Sequence, residues 1–327
     1  MIKLLTFCLL LISQTNYVLA KVSIKSQDGF IIIKSDGIPD HDTGQFPNAQ
    51  NPNSIESQDY NFKVTETPII NDETTAVGRN IFGIAKNGIP FDSATAEYWQ
   101  KNPNSGWKIE AIKGEQKLLG LDNNNAHVQK NGAYHYHGNP NAITDHSSKI
   151  EFIGYAADGF PIYINTNLQP SYQLKSGKRP NDAPEGYYDG TYTEDYEFIE
   201  GSGDLGECNN YFGVTAEYLD GINYYVVSNQ FPYVPRCWIG VADESFMKKT
   251  DRSQMAQINR SRRSMTKPLN SNSIKQKSPM EAQVVCYTKR LGESCSFSGR
   301  GGKRLKGRCT KDVNGVSCKV NRRAGIR

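Results

Sequence analysis

The residues best suited to chemistry in this sequence are its histidines, of which there are only five. Three of them, His127, His135 and His137, fall within eleven residues. If the segment after residue 133 is a strand, His135 and His137 lie on one face. Tyr134 and Tyr136 then lie on the other. Two imidazoles about 7 Å apart at Cα can converge on one transition-metal ion, and copper and zinc suit imidazole best.

A turn is predicted between the first histidine and the other two, at Asn131-Gly132. This turn would return His127 to the H-x-H pair and complete a set of three nitrogen ligands. The alternative is a strand rich in tyrosine and histidine whose imidazoles bond only backbone or water. Other metal motifs do not fit: no H-E-x-x-H is present, and no glutamate follows H-x-H as cupins require.

The elements that must position these residues are short runs rich in β-branched and aromatic residues, separated by Asp-Gly and Asn-Gly turns. Such runs predict β-strands. We expect strands at residues 22–25, 30–34, 61–70, 80–85, 107–112, 149–155, 192–199 and 222–228. A short helix is predicted near residues 93–99. The fold class is therefore mainly β, either a sandwich or an irregular barrel.

The N-terminus resembles a secretory signal peptide over residues 1–20, with Lys3 before a short apolar run and a cleavage site after Ala20. The apolar run is too short to span a bilayer. We therefore expect a secreted, extracellular protein. In an oxidising compartment its six remaining cysteines are expected to form disulfides.

The formal net charge of +4 averages two very different regions. Residues 248–327 carry +17, and the rest of the chain carries −13. This asymmetry predicts separate modules: a β domain at 21–247, a disordered basic linker at 248–282 and a four-cysteine basic module at 283–327. The linker has too little apolar surface to offset its chain entropy.

The linker contains a candidate processing site. Arg260, Arg262 and Arg263 form the R-x-[KR]-R pattern that furin-like convertases cut, and an exposed basic segment would be accessible to them. A solvated basic run without cleavage is an equal alternative. Asn259 begins an N-x-[ST] sequon, so a glycan there would compete with cleavage.

The C-terminal module is too small to fold on an apolar core alone, and two disulfides could staple it. Its cysteines are Cys286, Cys295, Cys309 and Cys318. Four cysteines allow three connectivities, and zinc ligation is a weaker alternative because no CxxC pair is present. The basic loop at 301–308 could bind anionic glycans, a membrane surface or acidic proteins. Nucleic acid is the partner class least compatible with secretion.

The sequence resembles the YHYH-domain proteins, whose naming motif is present at residues 134–137. The similarity extends over about residues 30–240. The matching segments are DGIPDHDTGQFPN at 36–48, NGIPF at 87–91, DNNNAH at 122–127, GYAADGFPIY at 154–163, DGTY at 189–192, ECN at 207–209 and the segment 224–237.

The resemblance implies a secreted, β-rich domain and brings no established activity. It adds His41 to the candidate ligands, because that histidine lies in a family motif. It also marks Asp158 in the DGFPIY segment as a candidate partner of the site or general base, although a tight turn is the commoner use of such a segment. Within the similar region we pair Cys208 with Cys237 as a structural disulfide.

Three functions are compatible with these residues. The favoured one is an extracellular copper- or zinc-binding domain without turnover, because no catalytic acid is evident beside the histidines. A secreted metalloenzyme would use three histidines and leave a fourth coordination position open. A structural or matrix protein would use the basic module as an anchor or a released peptide.

Overall fold

A computed structural model describes residues 21–114, 116–248, 292–298, 304–312 and 315–320. The predicted signal peptide lies outside the described residues, as do Cys286, Asn259 and the arginines of the candidate processing site. In the described ranges, no helix is long and apolar enough to cross a membrane.

The described chain is mainly β, as predicted, and its ordered elements are strands joined by turns and a few 3-10 turns. The strands are β1 (Val22–Gln27), β2 (Phe30–Ser35), β3 (Tyr60–Thr65), β4 (Ile70–Ala76), β5 (Ile81–Ala85), β6 (Pro90–Asp92), β7 (Ile112–Lys113), β8 (Gln116–Lys117), β9 (Ala126–Val128), β10 (Tyr134–Tyr136), β11 (Ile150–Ala156), β12 (Pro161–Asn165), β13 (Tyr172–Leu174), β14 (Tyr196–Phe198), β15 (Asn210–Gly213), β16 (Ile222–Val227), β17 (Cys237–Gly240), β18 (Ser294–Ser298), β19 (Arg304–Asp312) and β20 (Gly315–Val320).

The largest sheet has eight strands in the order β15-β16-β12-β11-β5-β6-β10-β9. Its neighbours are antiparallel except for β12 with β16 and β6 with β10, which are parallel. Strands β1, β2 and β3 form a second sheet. A close approach between β11 and β5 requires Gly154, because a Cβ there would collide with the carbonyl of Ile84. The histidine-bearing strands β9 and β10 lie at one end of the large sheet.

The core joins the two sheets. Ile33, Phe62 and Val64 of the second sheet are buried in one hydrophobic cluster with Phe82 and other residues of the large sheet. The indole of Trp238 donates a hydrogen bond to the carbonyl of Phe82 at 2.9 Å. Burial of this apolar surface is the main favourable contribution to the free energy of folding.

Two local predictions were wrong or only partly right. No α-helix forms at 93–99, and two 3-10 turns follow the segment, at Trp99–Lys101 and Pro103–Ser105. The hydroxyls of Ser93 and Thr95 donate to the carbonyls of Pro235 and Ile109, so this segment is held by residues outside itself. The segment expected as a strand at 107–112 forms only isolated bridges before β7.

Disulfides join Cys208 to Cys237 and Cys295 to Cys318. Cys309 is also disulfide-bonded. The first pair confirms the pairing predicted from the sequence. The second selects among the connectivities that the sequence left open, and disulfide bonding removes these cysteines from any zinc site. Strands β18, β19 and β20 form a separate three-stranded sheet around the second disulfide.

Removing the Cys208–Cys237 disulfide should destabilise the β domain. The bond spans 29 residues, and closing a loop of that length contributes about 3–4 kcal/mol by restricting the unfolded chain. We expect a Cys208→Ala/Cys237→Ala protein to lose this amount in urea unfolding followed by tryptophan fluorescence. Dithiothreitol should lower the stability of the wild-type protein to that of the variant. A loss below about 1 kcal/mol would contradict the argument.

Candidate metal site

The candidate site is built on a β-hairpin, as the sequence predicted. Strand β9 pairs antiparallel with β10, and His127 lies directly opposite His135. The connecting turn uses Gly132 with a φ of 81°, a conformation that glycine adopts without strain. Alternation along β10 places His135 and His137 on the face shared with His127.

The three imidazoles meet at their Nε2 atoms. Nε2 of His137 lies 3.0 Å from Nε2 of His135 and 3.1 Å from Nε2 of His127. One ligand atom from each of the three residues lies within 4.8 Å of the others. The local hairpin therefore brings together all three histidines that the sequence analysis grouped.

Backbone carbonyls fix the outer nitrogens of two of these rings. Nδ1 of His127 lies 3.0 Å from the carbonyl oxygen of Leu119, and Nδ1 of His135 lies 3.1 Å from that of Ala133. The backbone of Asp92 acts on the ring of His137 by raising its pKa, against the larger lowering effect of burial. A carbonyl oxygen only accepts hydrogen bonds. In both His127 and His135, Nδ1 therefore carries the proton and Nε2 presents a lone pair to the centre of the cluster.

This arrangement suits a cation better than a hydrogen-bond network. A proton on Nε2 of His137 would satisfy one of its two short contacts and not both. A tetrahedral ion with Zn–N bonds of 2.0–2.1 Å separates its nitrogen ligands by about 3.3 Å, close to the two distances observed. The three histidines could therefore hold a metal ion, and the donor set does not by itself decide which one.

The site is buried. His127, His135 and His137 are 9%, 2% and 5% exposed. Burial lowers the pKa of His127 below its ordinary value of 6.5. Burial, together with the neighbouring imidazoles, holds the pKa values of His135 and His137 well below 6.5. The neutral form that binds a metal ion is therefore the favoured form in the folded protein.

The tyrosines of the motif face the other side of β10. The hydroxyl of Tyr134 donates to Oδ2 of Asp122 at 2.6 Å. The hydroxyl of Tyr136 accepts from the amide of Asn87 at 3.0 Å and lies 2.7 Å from Nε2 of His41. These bonds hold the strand that carries two of the histidines, so the tyrosines position the site through the backbone.

His41 does not join the cluster. Its Nε2 is engaged by Tyr136 and its Nδ1 lies 2.9 Å from the carbonyl of Asp42. The expectation that His41 would converge with the other three is corrected by this geometry, because alternation directs the tyrosine side of β10 away from them. His146 is exposed, as expected for a residue outside the motifs.

Asp158 belongs to the sheet interior. Its Oδ2 accepts hydrogen bonds from the hydroxyl of Tyr225 and from the amide of Gly240. Burial raises the pKa of Asp158 to about 6. These contacts show a carboxylate that ties β16 to β17, with no contact to the three histidines.

Sequence reasoning missed Asp92, the buried acid nearest to the cluster. Oδ2 of Asp92 lies 3.8 Å from Nε2 of His135 and accepts a hydrogen bond from the amide of Gln129 at 2.6 Å. Burial raises its pKa to about 6. The available signal was a single acid closing the apolar run Ile89-Pro90-Phe91. The carbonyl of Leu119 could not be foreseen, since it depends on a left-handed backbone with φ of 59°.

The fold and site together define a β domain with a buried cluster of three histidines on one hairpin. The family model described as YHYH protein matches residues 61–240, more than half of the chain. The chain therefore belongs to the YHYH protein family, as its motifs indicated. The match includes the three clustered histidines and begins after His41. Searches of curated proteins and of solved structures found no match.

The lowered histidine pKa values predict a pH dependence for the metal-free protein. The unfolded chain takes up protons near pH 6.5, whereas the folded cluster stays neutral. Below pH 6.5 the unfolded state then binds more protons than the folded state. The free energy of unfolding is therefore highest above pH 6.5 and falls as the pH drops below that value.

We expect a His135→Gln/His137→Gln protein to lose less stability than wild type between pH 7 and about pH 5. Urea unfolding in the presence of EDTA would measure both curves. The raised pKa values of Asp92 and Asp158 act in the opposite direction, and their shared contribution largely cancels in the difference between the two proteins. If the free energies of unfolding of the two proteins decreased equally with pH, these histidines would not be the source of the pH dependence.

Proposed function

We propose that this YHYH domain binds one transition-metal ion, copper or zinc, through Nε2 of His127, His135 and His137. The observation that carries the proposal is the convergence of three Nε2 atoms. In His127 and His135 the outer nitrogen is already engaged by a backbone carbonyl. Imidazole is a common ligand of both metals, which is why the proposal keeps the two.

The burial of the cluster favours binding without turnover. Each of the three histidines is less than a tenth exposed, whereas a metalloenzyme needs a coordination position that substrate can reach. The disulfides support our proposal that the protein is secreted and works in an extracellular, oxidising environment. The metal ion would then be bound outside the cell.

Metal analysis of untagged, chelator-treated protein tests the site. After loading with copper or zinc and desalting, we expect about one mole of metal per mole of protein. His135→Gln should bind less than about a tenth of that amount, because two nitrogens remain. His146→Gln is the matched surface control and should bind like wild type. His41→Gln should also bind like wild type, since its ring lies on the other face. Wild-type protein that retains neither metal would disprove the proposal.

We further propose that the basic C-terminal module binds anionic glycans, membrane surfaces or acidic proteins. The supporting observation is the exposure of Lys306, Arg308 and Lys319 on its three-stranded sheet. Separation from the acidic β domain would allow both modules to act independently, and a cut after Arg263 would release the basic one.

Heparin affinity tests the basic module. We expect the full chain to be retained on heparin at low salt and released as salt screens the charges. A chain that ends at residue 248 should flow through. Equal retention of both chains would show that the module is not the binding region. Mass spectrometry of the secreted protein would reveal whether the cut after Arg263 occurs.

A further inference from the structure

We infer that Asp92 supplies the fourth ligand and that the site is a closed set of three imidazole nitrogens and one carboxylate oxygen. This inference rests on the proposed metal-binding function. It goes beyond that function because it decides whether the bound ion keeps a position for water or substrate. A closed site belongs to a domain that holds its metal ion.

The position of Asp92 follows from the sheet. Strand β6, which ends at Asp92, lies parallel to β10, with Phe91 opposite Tyr136. Asp92 is therefore next to the strand that carries two of the histidines. The same pairing places the carboxylate of Asp92 beside the cluster, with Oδ2 at 3.8 Å from Nε2 of His135.

The side chain of Asp92 is buried with unused bonding capacity. Asp92 is 5% exposed. Its Oδ2 is held by Gln129, whereas Oδ1 has no hydrogen-bond partner within the described part of the chain. A buried carboxylate oxygen without a partner is costly, and a cation beside it removes that cost. Oδ1 of Asp158, away from the histidines, also has no partner among the described residues, so this feature leaves Asp92 free to bind a cation, and its position beside the cluster carries the inference.

Charge leads to the same conclusion. A divalent ion among three neutral imidazoles would bury two uncompensated positive charges, and burial of unpaired charge is strongly unfavourable. The negative charge of the Asp92 carboxylate would neutralise one of these two positive charges. The 3.8 Å between its Oδ2 and Nε2 of His135 is about half an ångström longer than a tetrahedral ligand pair requires. Asp92 is not among the residues whose ligand atoms all lie within 4.8 Å of one another, so its carboxylate must turn toward the histidines to enter the coordination sphere.

Cobalt(II) loading with azide as a probe tests this inference. Azide enters a coordination position that water holds and adds a charge-transfer band to the visible spectrum. With Asp92 as fourth ligand, wild-type cobalt protein should show a four-coordinate spectrum that azide does not change. Asp92→Asn should bind cobalt at least about 10-fold more weakly and respond to azide. Asp158→Asn is the matched control, a buried carboxylate away from the site, and should behave like wild type.

The outcomes separate the two claims. A wild-type spectrum that changes with azide would overturn the role of Asp92 and leave the three-histidine site in place. An Asp92→Asn protein with unchanged affinity and spectrum would do the same. Wild-type protein that binds no cobalt, copper or zinc would defeat both claims. If Asp92→Asn does not fold, judged by circular dichroism, Asp92→Ala and the azide response of the wild-type protein still decide the question.

Discussion

Three imidazole nitrogens whose lone pairs lie close together in a buried site repel one another unless a cation or a proton lies between them. In this protein Nε2 of His137 is 3.0 Å and 3.1 Å from its two counterparts. Much of the surrounding structure holds that contact. The hairpin sets His127 opposite His135, and carbonyls turn the outer nitrogens away from the centre. The low histidine pKa values follow from the same burial, because water cannot solvate a protonated ring there.

The two faces of β10 make different contacts. One face gathers nitrogen atoms, and the other fastens the strand through the hydroxyls of Tyr134 and Tyr136. A shift of one residue in the pairing of β9 with β10 would exchange these faces and destroy both sets of contacts. The tyrosine bonds therefore maintain the register on which the cluster depends.

Much of the site could be predicted from the sequence because its decisive contacts are local. Period-two alternation and an Asn-Gly turn sufficed to place His127, His135 and His137 together. Long-range contacts defeated the prediction elsewhere. Ser93 bonds the carbonyl of Pro235, 142 residues away, and Thr95 bonds that of Ile109, 14 residues away, where the segment was expected to be helical. The orientation of His41 is set by its bond to Tyr136. The position of Asp92 beside the histidines depends on the pairing of β6 with β10, which no local sequence pattern predicts.

The parallel pairing of β6 with β10 has a consequence for the order in which the protein assembles. The histidines lie on one hairpin, and hairpins of this size form within about 1–10 μs. Strand β6 comes from a distant part of the chain, and pairing between distant strands is slower because a long loop must first be closed. The nitrogen donors can therefore meet before the carboxylate arrives. A metal ion bound by the hairpin early in folding would then attract the carboxylate of Asp92 and favour the correct pairing of β6 with β10.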